Sequence, residues 1–239
     1  MTRLQLCQDL HRILRIDSNL PGTAPTATTG QTGVLREIVD FIDESYRRIQ
    51  SAEEWWGFRL TQGTFPTVAS TRAYTRTTVQ SSLSTFDQYL VMSGYGTRHV
   101  QVYLTGVEDM SPCFYIPYQE WRGLWDRGER PEGKPAYFTV RQDQTIEFDP
   151  TPDDVYTISL DYRRTLHTLT SDSTEPLFAA DYHDAIVWGG VLAYCRTRES
   201  VGELRSEAFR EYNRLLNAMR IRYLPELVWD GSLLWGSQP

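Results

Sequence analysis

The sequence predicts an α+β fold: an antiparallel α-helical bundle of N- and C-terminal helices, an inserted antiparallel β-sandwich or barrel-like module, and an extended C-terminal arm. Near both ends of the chain, apolar residues recur at steps of three and four, which is typical of amphipathic helices. Between these regions, short β-type runs alternate with turn residues, which is typical of sandwiches and small barrels. The 239 residues are enough for one large domain or two small ones.

The N-terminal region predicts two helices. The first covers residues 2–16, and a loop rich in Thr, Gly and Pro follows over 17–33. The second helix begins at Val34, continues to Trp56 and is expected to end at Gly57 in a left-handed conformation. The apolar face of the first helix holds Leu4, Cys7, Leu10 and Leu14.

Six β-type runs predict the inserted module, which is expected to span residues 58–175. One helix, at about 116–128, interrupts the strands. Turn-forming stretches such as PEGKP and PTPDD connect them. The runs lie at 58–62, 87–92, 98–105, 136–141, 145–149 and 155–164.

Two further helices complete the predicted bundle. Asp181 is expected to cap the first, and a second amphipathic helix covers 199–223 before Pro225. Small residues on the inner face of the first helix predict close helix packing; this face comprises Ile186, Gly190 and Ala193. The predicted domains are the bundle, formed by 1–57 with 176–224, the β-rich module at 58–175, and the arm at 225–239.

Composition excludes several classes of protein. A formal net charge of −7 argues against a protein that coats nucleic acid. The three cysteines are far apart and form no CxxC pair, so we expect neither a zinc site nor a disulfide framework. The N-terminus has no signal-peptide core, and no apolar run approaches the roughly 20 residues of a membrane span. We therefore expect a protein made in a cytoplasm, without a membrane partner.

No motif for a nucleophile or a bound nucleotide is present. The strongest catalytic candidate is the cluster of Asp181, His183 and Asp184, which could instead serve the start of a helix. Glu53 and Glu54, beside two tryptophans, resemble a sugar site, but neighbouring helical carboxylates point apart. We predict no catalytic residue, no cofactor and no metal.

Two groups of apolar residues are the predicted binding features. Trp55, Trp56 and Phe58 are expected to form a seam, with Trp56 in the bundle and Trp55 towards the β-rich module or an adjacent subunit. The arm has no helical period and follows a helix stop, which indicates either folding back on its own domain or docking on a partner. Its predicted partner-binding residues are Leu227, Trp229, Leu233, Leu234 and Trp235.

The order of several segments resembles the head-to-tail adaptor proteins of tailed bacteriophages. The resemblance covers about residues 34–224, and the segments that carry it are EEWWGF, IPYQEWRGLWDRG, PAYFTV, TIEFDPTPDDVYTISLDYRR, EPLF and AADYHDAIVWGGVLAYCRTRE. It implies a ring of about twelve copies on the portal protein, a downstream tail or nozzle protein as a further partner, and a channel through which genomic DNA passes without specific binding. It implies no cofactor and no catalysis, and a location in the virion neck.

Two other functions remain open from the sequence. One is a different tail or baseplate component whose β-rich module binds a receptor glycan or a tail protein. The other is a peptidoglycan-cleaving enzyme that uses Glu53 or the Asp181 and His183 pair. Exposed coplanar aromatic rings on the β-rich module would favour the first of these.

Overall fold

A computed structural model of the chain describes residues 1–18, 22–90, 100–104, 109–125, 131–197 and 202–224. These residues form a mixed α+β structure with six helices and two sheets, which confirms the predicted α+β class. The chain divides into two compact units: a helical unit, Met1–Arg59 with Leu166–Pro239, and a β-rich unit, Leu60–Thr165. The unit boundaries therefore fall at 59/60 and 165/166, where the sequence predicted 57/58 and 175/176.

The elements follow one another in this order. The helices are α1 (Arg3–Ser18), α2 (Gly33–Ala52), α3 (Arg76–Ser82), α4 (Tyr118–Trp125), α5 (Asp184–Thr197) and α6 (Gly202–Tyr223). The strands are β1 (Leu60–Pro66), β2 (Ala73–Tyr74), β3 (Phe86–Tyr89), β4 (Val100–Leu104), β5 (Ser111–Pro112), β6 (Phe114–Tyr115), β7 (Tyr137–Val140), β8 (Ile146–Asp149) and β9 (Tyr156–Arg164). Short 3₁₀ turns lie at Gly57–Arg59 and Ala180–Tyr182.

Helix α5 lies at the centre of the helical unit and packs against α1, α2 and α6. Two glycines permit this close packing. A Cβ atom on Gly190 would lie 2.9 Å from a methyl carbon of Leu10, and one on Gly189 would lie 2.1 Å from the Ser45 Oγ. The inner face of small residues predicted for this helix is therefore present, with Ile186 and Ala193 also buried.

The β-rich unit contains two sheets. In the first, the nine-residue strand β9 pairs antiparallel with β1, β3 and β4, and β5 extends β4. In the second, the order is β2-β8-β7-β6, and the β6–β7 pair is parallel, which corrects the prediction of a purely antiparallel module. Aromatic side chains including Phe65, Tyr74 and Phe148 fill the core.

A buried carboxylate attaches α4 to the second sheet. Glu147 on β8 is 3% exposed and accepts a hydrogen bond of 3.0 Å from the Trp121 Nε1. The guanidinium groups of Arg72, at 3.5 Å, and Arg141 pair with the same carboxylate. Arg72 also lies over the Trp121 ring, 5.3 Å from its centroid, in a cation–π contact. The charges neutralise a group that would otherwise be costly to bury.

Two predicted features of the helices were wrong in detail, and several short elements were missed. Helix α2 ends at Ala52, not at Trp56. The Trp56 Nε1 donates a 2.7 Å hydrogen bond to the Ile49 carbonyl, whereas in a continuing helix a backbone amide would donate to that carbonyl. Asp181 does not cap α5, since it lies in a 3₁₀ turn before that helix begins. Three two-residue strands and helix α3 were not predicted.

Candidate functional site

The five predicted partner-binding residues of the arm (Leu227, Trp229, Leu233, Leu234 and Trp235) lie outside the described residues, so their role stays a prediction. The described chain stops at Leu224, immediately before the arm. An aromatic cluster of the helical unit lies next to that point, and we name this cluster the arm root. It consists of Trp56, Phe58, Phe178 and Tyr223.

Trp56 forms one side of the arm root. Its side chain is fully buried, and its only ring nitrogen is satisfied by the Ile49 carbonyl. Its ring stacks on Phe58 with a centroid distance of 5.3 Å and an interplanar angle of 24°. A buried tryptophan with its N–H satisfied contributes large apolar area without an unpaired donor. Trp56 therefore fixes the turn that follows α2.

Phe58 connects this turn to the end of α6. Its ring centroid lies 5.3 Å from that of Phe178 and 5.3 Å from that of Tyr223, which it meets edge-to-face. The backbone amide of Ala179 donates a 2.8 Å hydrogen bond to the Tyr223 hydroxyl. Tyr223, the last residue of α6, is therefore held by both its ring and its hydroxyl.

Gly57 allows the backbone of the turn to approach α6. A Cβ atom at this position would lie 2.9 Å from the carbonyl oxygen of Tyr223. The prediction of a left-handed Gly57 was wrong, since no positive φ occurs there. The glycine is needed for close approach instead.

Charged groups surround the arm root. The Arg220 Nε donates a 2.7 Å hydrogen bond to Glu53, and both side chains are about one-third exposed. The Arg222 guanidinium lies over the rings of Tyr182 and Tyr223, at 5.8 and 5.7 Å from their centroids. Glu53, a catalytic candidate from the sequence, thus serves as an ion-pair partner that ties the end of α2 to α6.

The predicted seam residues differ in their surroundings. Trp56 and Phe58 pack in the core of the helical unit. Phe58 lies in a 3₁₀ turn, and β1 begins only at Leu60, so the predicted strand start at residue 58 was wrong. Trp55 is half-buried. Whether these residues form a seam between the two units stays a prediction.

The Asp181, His183 and Asp184 cluster is arranged for structure. His183 is 2% exposed, and burial lowers the pKa of its imidazole below 6.5. Its Nε2–H donates to the Phe178 carbonyl at 3.0 Å, and its Nδ1 accepts from the Met1 amino group at 2.7 Å. Both ring nitrogens are therefore occupied, while Asp181 and Asp184 face solvent.

Other reactive groups are also buried. Among the described residues, no group of three or more His, Cys, Asp or Glu side chains could hold a metal ion. All three cysteines are buried, and burial raises the pKa of the Cys7 thiol to about 12. A thiol with such a pKa is a poor nucleophile near neutral pH.

Sequence reasoning missed two features of the helical unit. The first is Tyr223, which could have been singled out as an aromatic residue in the last turn of a helix before Pro225. The second is a groove of about 190 Å³ between α2 and the segment that follows β9, lined by Tyr46, Leu166, His167 and Leu169, with Asp43, Arg47 and Thr168 also contributing. No local pattern could have indicated it, because its two walls lie more than 100 residues apart in the chain.

The described residues define a two-unit α+β protein with an aromatic cluster at the end of α6. The chain matches the model of the SU10 adaptor protein family over residues 1–230, and it belongs to that family. It is a phage adaptor-type protein, a structural component of the virion, which confirms the resemblance at that level. A comparison with curated proteins gave no match. Among the helices of the described chain, none has the length and apolar character to cross a membrane.

Proposed function

We propose that this protein is a head-to-tail adaptor: about twelve copies form a ring that docks on the phage portal and attaches a downstream tail or nozzle protein. Membership of the adaptor family supports this role. In the finer architecture that we propose, the helical unit is an antiparallel bundle and the β-rich unit is a sandwich. Assembly takes place in the host cytoplasm, and the protein acts without catalysis.

The observation that carries the proposal is the position of the arm root. Tyr223, the residue before Leu224, packs against the core through the aromatic cluster, so the last described turn before residue 225 is fixed. The arm contains two tryptophans and several leucines. Burying one tryptophan of about 150–250 Å² contributes roughly 4–6 kcal/mol as an upper bound. Two such side chains on a defined base are sufficient for a docking contact between subunits of a virion.

The charge of the chain suits a channel for DNA. The formal net charge is −7 per copy, and it adds up around a ring. An acidic wall does not bind phosphate groups, which lets DNA slide through the channel without specific contacts.

Removing residues 225–239 tests the proposal. We expect the truncated chain to keep its circular dichroism spectrum and thermal stability, because the arm root remains intact, but to lose binding to purified portal rings. The matched control replaces Val68, which is exposed on the β-rich unit, with Ala and leaves the arm intact. Normal portal binding by the truncated chain would contradict the proposed role of the arm.

A smaller set of substitutions separates the arm from its base. Trp229→Ala combined with Trp235→Ala removes the two largest arm side chains, and we expect portal binding to fall as far as in the truncation. Tyr223→Phe removes only the hydroxyl that accepts from Ala179. We expect this variant to have a lower thermal stability and to lose much less portal binding than the double tryptophan variant, since the rings of the arm root remain.

One observation favours a second candidate function, in which the β-rich unit binds a partner protein of the tail. Phe114 and Tyr137 are neighbours on β6 and β7 and are 54% and 39% exposed. Their rings are 6.3 Å apart but tilted by 43°, so they are not the coplanar platform expected of a glycan site. Phe114→Ala in the full chain should reduce tail attachment while portal binding is unchanged. An unchanged number of tailed particles would remove this candidate.

A further inference from the structure

We infer that the groove beside Tyr46 is a binding site for the C-terminal arm of the same copy, and that it receives the ring of Trp235 while the protein is free of the portal. This inference rests on the proposed function, in which the arm docks on the portal, and it gives the arm a second site. The arm and the groove belong to the same unit of the chain. The portal then captures the arm only after the arm has left the groove.

Hydrogen bonds hold the groove open. The Gln50 side chain is fully buried; its Nε2 donates to the His167 carbonyl at 2.9 Å, and its Oε1 accepts from the His167 amide at 2.8 Å. The Tyr46 hydroxyl accepts from the Leu177 amide at 3.0 Å and lies 3.0 Å from the His167 Nδ1. These bonds fix the segment after β9 against α2, so the groove exists before any ligand binds.

The size and lining of the groove suit an aromatic side chain. Its volume is about 190 Å³, and Tyr46 and His167 meet edge-to-face in its wall, with a centroid distance of 5.9 Å. An apolar cavity of about 150 Å³ in a protein interior is enough to bind benzene. Leu166, which also lines the groove, is 37% exposed and offers apolar surface that a bound ring would cover. An aromatic side chain would therefore gain both burial and ring contacts there.

A series of ring contacts leads from the arm root to the groove. The centroid of the Tyr223 ring lies 5.3 Å from that of Phe58, and the centroid of Phe58 lies 5.3 Å from that of Phe178. Phe178 in turn lies 5.9 Å from Tyr46, centroid to centroid, and Tyr46 lines the groove. The base of the arm and the groove are therefore only three ring contacts apart.

The arm is long enough to cover this distance along the surface. An extended chain covers about 3.3 Å per residue. Trp235 follows Leu224 by eleven residues and can reach roughly 36 Å from it, about twice the length of the three ring contacts. Trp229 follows Leu224 by five residues and can reach only roughly 17 Å, which leaves no slack for a route around the core. Trp235 is therefore the ring that we place in the groove.

The charges of the groove and of the arm are complementary. Asp43 and Arg47 are the charged side chains that line the groove, and the Asp43 carboxylate is paired with the Arg3 guanidinium at 2.5 Å. Arg47 is exposed and forms no ion pair within the described chain, so it leaves a positive charge beside the groove. The arm contains two carboxylates, Glu226 and Asp230, and no Lys, Arg or His. An acidic, aromatic segment thus matches both the charge and the apolar lining.

The covalent tether favours the arm of the same copy over that of another copy. A short flexible linker holds its end at an effective concentration in the millimolar range, well above the concentration of free copies. A single ring in an open groove binds with a Kd on the order of 1 mM. The arm therefore occupies the groove for about half of the time, which stabilises the fold only slightly. Thermal stability is thus a poor measure of this contact, and a direct measurement is needed.

Cross-linking of the free full-length protein tests the inference. Thr168→Cys places a thiol at the exposed edge of the groove, and Gly236→Cys places one beside Trp235. With a short bis-maleimide, we expect this pair to link within one copy at least about tenfold faster than Ser51→Cys with Gly236→Cys. Ser51 is exposed and lies two residues before Glu53, which contacts α6, so an arm that moved freely would reach it at least as often. The three native cysteines are buried, so background linking should be low.

Substitutions in the fast-linking pair identify the groups that hold the arm. Trp235→Ala should reduce the linking rate to that of the control pair, whereas Trp229→Ala should leave the rate unchanged. Arg47→Glu should also slow the link, because it places a negative charge beside an acidic arm. Arg36→Glu is its matched control, since Arg36 is exposed on the same helix and does not line the groove. We expect this control to link as fast as the parent pair.

Purified portal rings connect the groove to docking. Adding them should slow the link between positions 168 and 236, because the arm cannot occupy both sites at once. Leu166→Glu removes apolar surface from the groove and adds a charge that repels the arm. This variant should bind portal rings about twofold more tightly, since a groove that is half occupied halves the fraction of free arm.

The outcomes separate this inference from the proposed function. Equal linking rates for the two cysteine pairs, or a rate that Trp235→Ala does not change, would overturn the groove as a site for the arm. Loss of portal binding on removal of residues 225–239 would still support the adaptor role in that case. Links between copies instead of within one copy would assign the groove to a neighbouring arm and overturn the same-copy contact. Fast linking at the groove with normal portal binding by the truncated chain would support the groove and contradict the proposed role of the arm at the portal.

Discussion

Replacing Gly57 with Ala perturbs the arm root by a single methyl group. The new Cβ would lie 2.9 Å from the Tyr223 carbonyl oxygen and 3.8 Å from its carbonyl carbon. These are backbone atoms, so no side-chain rotation relieves the overlap. Either the turn after α2 or the last turn of α6 must move. The Leu224 amide, which donates to the Arg220 carbonyl at 3.0 Å, belongs to the same turn and should move with it.

Two opposing terms set the size of the effect. Forcing an extra methyl group into a packed site costs about 1–3 kcal/mol. Restricting the unfolded chain by Gly→Ala stabilises the fold by about 0.4–1 kcal/mol where the backbone conformation suits alanine, and Gly57 has no positive φ. The net loss in the free energy of unfolding should therefore be about 1–2 kcal/mol. For a chain of this size, that is a fall in Tm of about 2–8 °C.

Thermal unfolding followed by circular dichroism gives the Tm, and hydrogen exchange locates the change. Amides at the end of α6 should exchange faster in Gly57→Ala, while those of β9 should not change. Gly202→Ala is the matched control, since Gly202 begins α6 in the same unit and no atom lies within 4 Å of its added Cβ. This control should leave the Tm unchanged or slightly raised.

A Gly57→Ala protein as stable as the parent would refute the close approach of these two backbones. A loss of stability without faster exchange near residue 223 would place the strain elsewhere. Either result would remove the fixed point from which the arm is proposed to depart.

Three further predictions concern buried groups. Trp56→Ala should lower the free energy of unfolding by about 3–5 kcal/mol, and Trp55→Ala by less, because Trp56 is fully buried and Trp55 is half-buried. Denaturant titration measures both losses, and a larger loss for Trp55→Ala would contradict this prediction. Glu147→Gln leaves Arg72 and Arg141 without their carboxylate. The free energy of unfolding should fall by about 2–3 kcal/mol, a moderate loss because both arginines are partly exposed. An unchanged midpoint in the same titration would contradict these ion pairs. The pKa of His183 is lower in the folded protein than its unfolded value of 6.5. As the pH falls below about 6.5, the unfolded chain therefore takes up a proton at this residue before the folded protein does, and the free energy of unfolding should decrease. His183→Gln should flatten that part of the pH profile, and an equally steep profile would contradict the assignment.

Much of the fold could be predicted because its signals are local. Helices α1, α2 and α6 bury one face each, and the long strands of the first sheet are bounded by turn residues, so periodicity and composition were sufficient. The two-residue strands β2, β5 and β6 are too short to show alternation, and their pairing depends on distant partners. The end of α2 was mispredicted for a related reason. A side-chain hydrogen bond from beyond the helix, not a local stop signal, closes its last turn.

The candidate site was less predictable, because its parts are distant in the sequence. The arm root combines residues near 57, 178 and 223, and the groove combines α2 with the segment after β9. The two adjacent tryptophans were a visible signal, and they differ in burial, since Trp56 is fully buried and Trp55 is half-buried. Their neighbour Phe58, which was assigned to the β-rich module, instead connects Trp56 to the helix that leads into the arm.

Under the proposed function, this connection gives the aromatic cluster a purpose beyond stability. A docking segment that leaves a flexible base loses much of its binding free energy to ordering, whereas one that leaves a rigid base loses less. In this chain the base is fixed by stacked rings, by a hydroxyl on the Ala179 amide and by the Glu53–Arg220 pair. Variants that loosen the base, such as Gly57→Ala, should therefore weaken portal binding even though the arm is unchanged. Fusing the isolated 225–239 segment to a carrier protein should give weaker portal binding than the full chain, and equal affinity would show that the base contributes nothing.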